Sequence, residues 1–169
     1  MTQTPNPSNG ADLLEKLVAM ADQRVQAQLD AAIAADQRAL VFAGLVAIAA
    51  AAFGGAAASA LTDNPPELFM GRLALLAAAG MLGAMFCAIV AARPVKWFFA
   101  GSQPANWSQD LATEKPFTES LGELLLDYDD RISKNERTMM VNSRWLLASG
   151  IIAMATLLIA GAALITKVW

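Results

Sequence analysis

Few side chains in this sequence are placed to do chemistry. Asp127, Asp129 and Asp130 alternate in the manner of a calcium loop, but an EF-hand also needs a glycine at its sixth position and a glutamate at its twelfth. Both are missing, and the surrounding pattern is helical, so the cluster reads as a solvated acidic face. There is no histidine, which excludes imidazole acid–base catalysis and histidine metal ligation. The single cysteine, Cys87, excludes an intramolecular disulfide and a cysteine-based zinc site. No phosphate-binding glycine loop and no serine elbow is present, and Asn106-Trp107-Ser108 fits a glycosylation sequon only by chance, since it falls on the cytoplasmic side. The reading is therefore non-enzymatic, with no cofactor and no metal. One juxtaposition remains. Asp36 and Arg38 stand two residues apart on different helix faces and do not satisfy each other easily. Arg144 enters the apolar region at a similar depth, making Asp36 and Arg144 candidates for an ion pair.

The elements that must hold these residues are apolar. Hydrophobic residues make up 56% of the 169 positions and charged residues 16%, where a soluble domain averages roughly 25% charged. Residues 39–61 carry no charge and contain eleven alanines and three glycines. At about 1.5 Å per residue such a helix crosses a hydrocarbon core of roughly 30 Å. A second span covers residues 68–92, with Arg72 snorkelling to the interface, and a third segment runs over 145–169. Thr62-Asp63-Asn64-Pro65-Pro66-Glu67 is too short and too proline-rich to do anything but close a hairpin over residues 39–92. Within the spans the polar inventory is Ser59, Cys87, Ser149 and Thr156, without the buried charges that ion-coupled carriers usually place there.

Three spans put the N-terminus and the long connection on one side. Ten of the twelve basic residues lie on that side, so it is cytoplasmic in a bacterial inner membrane and the C-terminus is outside. Trp97 and Phe98 after the second span, and Trp145 and Trp169 around the third, are the aromatics expected at the interface. Arg131, Lys134, Arg137 and Arg144 form the basic half of the last cytoplasmic segment, next to anionic lipids; topology control accounts for them without specific lipid recognition. Residues 1–10 are polar and proline-containing and are expected to be disordered. Residues 11–38 carry an apolar stripe at Leu14, Val18, Ala21, Val25, Leu29 and Ala32, and residues 117–144 carry another at Phe117, Leu121, Leu124, Tyr128, Ile132, Asn135 and Met139. Both predict amphipathic helices of equal length entering the membrane from the same side, hence a parallel helical stalk. Residues 93–116 contain Pro94, Pro104, Pro116 and Gly101 and read as an interfacial loop.

The spans are rich in small residues. Gly54 with Ala58, Ala79 with Gly83, and Gly80 with Ala84 are small-xxx-small pairs, which let helix backbones approach closely. They predict a homo-oligomer.

At Ala35-Asp36-Gln37-Arg38-Ala39, at Arg93-Pro94 through Phe98-Phe99-Ala100-Gly101, and over residues 121–165, the chain resembles the small transmembrane effectors of the Pycsar (pyrimidine cyclase) antiphage systems. In that family an Ala-Asp-x-Lys-Ala-like element opens the first span. A hairpin, a proline-bearing cytoplasmic segment, a second helix and a last span follow. Arg38 stands where the family has lysine, and its loop pattern is only partly present. The resemblance implies an antiviral defence effector that disrupts the membrane when a cyclic nucleotide signals infection. There is no room for a separate nucleotide-binding domain, so sensing would fall to the two stalk helices or to a cytoplasmic protein partner. The fold class expected is all-α, with three transmembrane helices, two long cytoplasmic extensions, lipids as partners and no role for nucleic acid. The competing role is a membrane anchor or scaffold whose cytoplasmic helices bind a partner protein.

Overall fold

A computed structural model describes residues 7–102 and 104–168. Four helices make up the described chain, α1 (Pro7–Thr62), α2 (Leu68–Ala91), α3 (Pro104–Ala112) and α4 (Phe117–Val168), with no strand among the described residues. α1, α2 and α4 each contain a stretch long and apolar enough to cross a membrane.

Two boundaries differ from the sequence reading. α1 begins at Pro7, so residues 7–10 are helical rather than disordered. Proline is suited to a helix's first turn, where its missing N–H has no intrahelical partner and its φ is already helical, and extending a stable helix needs no new nucleus. Residues 1–6 lie outside the described part. The connection over 93–116 is likewise not all loop, because α3 forms within it behind Pro104. α3 ends in a tight reversal with Glu114 at φ 51°, and Lys115 N–H returns to the Asp110 carbonyl at 3.0 Å.

The chain divides into two compact units. The first holds residues 1–33 and 95–139. In it Val25 and Ala32 of α1 and Leu121, Tyr128 and Asn135 of α4 are buried, and the remaining stripe residues are half-buried. Phe117 is the exception at 55% exposed, so the buried stripe of α4 starts one turn later than its periodicity indicates.

The second unit holds residues 34–94 and 140–169. Its core is built from Val46, Ala50, Met81, Ala84 and Ala153, with Phe42, Phe53 and Ile152 against it. Small side chains at Ala50, Ala84 and Ala153 bring three helices close enough for the buried Ser149 hydroxyl to donate to the Ala84 carbonyl at 2.6 Å. The outside of this unit is apolar. Ile48, Leu76 and Leu158 are each about 70% exposed, a surface suited to hydrocarbon rather than to water.

Candidate functional site

The densest polar structure lies in the first unit, where residues 98–101 are held against α1 and α4. Asn135, 1% exposed, clasps one residue at both ends. Its Oδ1 accepts the Phe98 N–H at 3.1 Å, and its Nδ2 donates to the Phe98 carbonyl at 3.0 Å. The same Nδ2 reaches Gln28 Oε1 at 3.4 Å, and Gln28 Nε2 donates to the Ile132 carbonyl at 3.3 Å. Three residues further along, Gly101 adopts φ +84°, a conformation that favours glycine. Its N–H is shared between Asp22 Oδ1 at 2.9 Å and the Tyr128 oxygen at 2.8 Å, while the Tyr128 hydroxyl donates to Asp22 at 2.5 Å. Arg131 closes the far side, with Nη1 donating to the Phe99 carbonyl at 3.0 Å and the Gly101 carbonyl at 2.7 Å, and Nη2 pairing with Asp127.

Helix spacing explains the clamp. Tyr128, Arg131 and Asn135 step by three and four residues and so share one face of α4, while Asp22 and Gln28 lie along the stripe side of α1. Partner numbers rise together from Asp22 with Tyr128 to Gln28 with Asn135, and Arg24 also reaches Glu136 at 2.9 Å. Burial first, and then the hydrogen bond to the Asp22 carboxylate, push the Tyr128 hydroxyl above the usual tyrosine range. The hydroxyl is therefore a neutral donor at physiological pH. The arrangement retains residues 98–101 through matched donors and acceptors.

Several residues sit differently from the sequence reading. Phe98 is tied to Asn135, and the ammonium groups of Lys96 and Lys134 stand 5.5 and 5.3 Å from its ring centre. Arg131 is spent on Asp127 and two carbonyls, and Lys134 pairs with Asp130, so neither is a free cation for lipid. Trp97 is half-buried, Trp145 is 38% exposed, and Trp169 lies outside the described residues. Arg137 and Arg144 are exposed and make no ion pair with a described residue. Asp36 and Arg144 form no ion pair with each other; Arg144 instead reaches the Met140 sulfur at 3.6 Å. Asp36 lies on the inward side of α1, half-buried, whereas Arg144 points outward.

The small-residue pairs divide into two kinds. Gly80 and Ala84 pack within the chain: a Cβ added at Gly80 would lie 2.3 Å from Thr156 Oγ1 and 3.2 Å from its Cβ, and Ala84 is fully buried. Gly54 and Gly83 have nothing within 4 Å of an added Cβ, and Ala58 and Ala79 are exposed.

The clamp was missed by sequence reasoning, which placed Tyr128 and Asn135 on an apolar stripe. The available signal was polarity at stripe positions. An amide at the centre of an otherwise apolar seam implies a buried partner.

A small recess of about 160 Å³ beside the clamp is lined by Ser102, Trp107, Asp110, Ser120, Glu123 and Asp127. Its carboxylates are occupied, with Lys115 on Glu123 at 2.6 Å and Arg131 on Asp127. No group of three or more metal-ligating side chains occurs among the described residues. No family model matches the chain, and neither a curated protein nor a solved structure is significantly similar to it.

Proposed function

We propose that this chain is a non-enzymatic, oligomeric protein of a bacterial inner membrane, a defence effector that impairs the membrane when its cytoplasmic helices rearrange. In this reading α1, α2 and α4 cross the bilayer, the N-terminus and the segment between α2 and α4 are cytoplasmic, and the polar halves of α1 and α4 form a parallel stalk. A signal, a cyclic nucleotide or a protein, acts on the stalk.

The observation that carries the reading is continuity. α1 and α4 are each a single helix, of 56 and 52 residues, running without a break from a hydrogen-bonded polar half into an apolar half. A helix is stiff, so a change in how the clamp grips α1 and α4 is carried along the same backbones into the spans. The open small faces at Gly54–Ala58 and Ala79–Gly83 provide surfaces on which copies can approach closely. Ten of twelve basic residues fall on one side, which supports the orientation.

The test is membrane potential and dye entry in a bacterial host after induced expression, alone and with a nucleotide cyclase. Gly54→Leu is the informative variant, because its side chain enters open space, whereas Gly80→Leu would collide with Thr156 and damage the fold. Depolarisation by the wild type that Gly54→Leu abolishes supports a leak assembled through helix packing. Membranes intact under both conditions would refute an effector triggered by a cyclic nucleotide and favour a scaffold whose stalk binds a partner.

A further inference from the structure

We propose that one face of α1, lined by Ala34, Gln37, Arg38, Val41, Phe42 and Leu45, seats an anionic glycerophospholipid, with its phosphate on Arg38 and an acyl chain along Val41, Phe42 and Leu45. The inference rests on the membrane reading above but not on the leak. These six residues form a shallow, open recess on α1 alone, and their spacing of three and four places them on one helix face. The recess is polar at one end and apolar along the rest, the pattern of a lipid rather than of a soluble anion.

Charge decides the occupant. Arg38 is exposed and uses only its Nε, on the Ala34 carbonyl at 3.1 Å, leaving both terminal nitrogens for a bidentate phosphate contact. It has company. In the second unit, Gly80 faces Thr156 and Ala84 bonds Ser149, so α2 runs antiparallel to α4 and its C-terminal end lies level with the start of the α4 segment. Val46 and Ala50 pack with Ala153, which places Arg38 at the same end. Arg38, Arg93 and Arg144 thus gather at one end of this helical unit, all exposed and none ion-paired with a described residue. Elsewhere Lys16, Arg24, Lys115, Arg131 and Lys134 each have a carboxylate partner, while Arg72, Lys96 and Arg137 have none among the described residues. Asp36, the one acid at that end, is half-buried and lies on the other side of α1 from Arg38. A second copy in the same membrane orientation would therefore bring guanidinium against guanidinium in this recess. A lipid phosphate supplies the missing charge.

The test uses the full chain, purified in a neutral detergent and titrated with phosphatidylglycerol, with phosphatidylcholine of the same chain length, and with inorganic phosphate, reading bound lipid by native mass spectrometry. Phosphatidylglycerol is expected to bind about fivefold more tightly than phosphatidylcholine for one engaged arginine, with inorganic phosphate displacing neither. Arg38→Gln should remove that preference, and Arg38→Lys, which keeps the charge but loses the fork, should retain part of it. Val41→Ser should weaken both lipids together. Equal binding of the two headgroups, a preference unchanged in Arg38→Gln, or displacement by inorganic phosphate would each overturn the site. Carbonate extraction of the expressed chain separates the two ideas. A chain that resists extraction but ignores the headgroup refutes the site and leaves the membrane reading standing, and a chain that is extracted overturns both.

Discussion

Asn135→Ala should free residues 98–101 from the helices while leaving the helices themselves intact. The amide of Asn135 makes two well-formed hydrogen bonds to Phe98, at 3.1 and 3.0 Å, and a longer one to Gln28 at 3.4 Å. Each good bond contributes about 1 kcal/mol net, and the long one little. Alanine's better helix propensity acts equally in the open and closed states and cancels, and the Gln28 oxygen left in a buried site adds about 0.5 kcal/mol. The net change is about 2.5 kcal/mol, confined to the opening of the clamped segment. Since about 1.4 kcal/mol is tenfold, hydrogen exchange of the Phe98 amide should accelerate about 60-fold. Tyr128→Phe provides the internal comparison. It deletes the hydroxyl, but Gly101 N–H keeps Asp22 at 2.9 Å, so the loss is about 1 kcal/mol and exchange at Gly101 should rise only about fivefold. Exchange is read by mass spectrometry on peptides covering 95–102, with peptides from α2 as the unaffected reference. Exchange at 95–102 within twofold of the wild type in Asn135→Ala would refute the clamp as the element that holds this segment.

Further expectations concern packing, ionisation and surface charge. Gly80→Ala should lower the thermal unfolding temperature in detergent, because the new Cβ meets Thr156 and overpacking costs about 1–3 kcal/mol. Thr156→Ala in the same chain should restore most of the loss, and a double-mutant cycle showing no coupling would contradict the contact. Tyr128 is the chain's one tyrosine, so its ionisation can be followed directly by near-ultraviolet absorbance. With its folded pKa raised above the unfolded value of about 10, its contribution is complete below that pH and disappears as pH rises through the folded value. Tyrosinate should therefore form above pH ~10 in the folded protein, and a midpoint at or below the unfolded value would be inconsistent with the burial described. Glu136→Gln removes the exposed pair with Arg24 and should change stability by less than about 1 kcal/mol, checked by the same thermal assay.

What the chain's order of residues determines is its solvent and its periodicity. Twenty-three uncharged residues at 39–61 are long enough to cross hydrocarbon whatever surrounds them, because length and transfer free energy are local sums. The stripe from Leu14 to Ala32 is readable for the same kind of reason, since helical spacing alone assigns a face. The identity of the partner across that face is not a local property. Asn135 looks like an interruption of a stripe until Phe98 and Gln28 are brought beside it, and Tyr128 looks like one more large side chain until Asp22 and Gly101 meet its hydroxyl. The small-residue pairs show the same division. All three have the same spacing, and only three-dimensional packing separates Gly80, pressed against Thr156, from Gly54, which faces open space. The basic residues also look alike in a list. Tertiary structure spends Arg131 on loop carbonyls and Asp127 while leaving Arg38, Arg93 and Arg144 without a carboxylate among the described residues, because whether a charge is paired depends on which groups lie within about 4 Å of it after folding, not on its place along the chain.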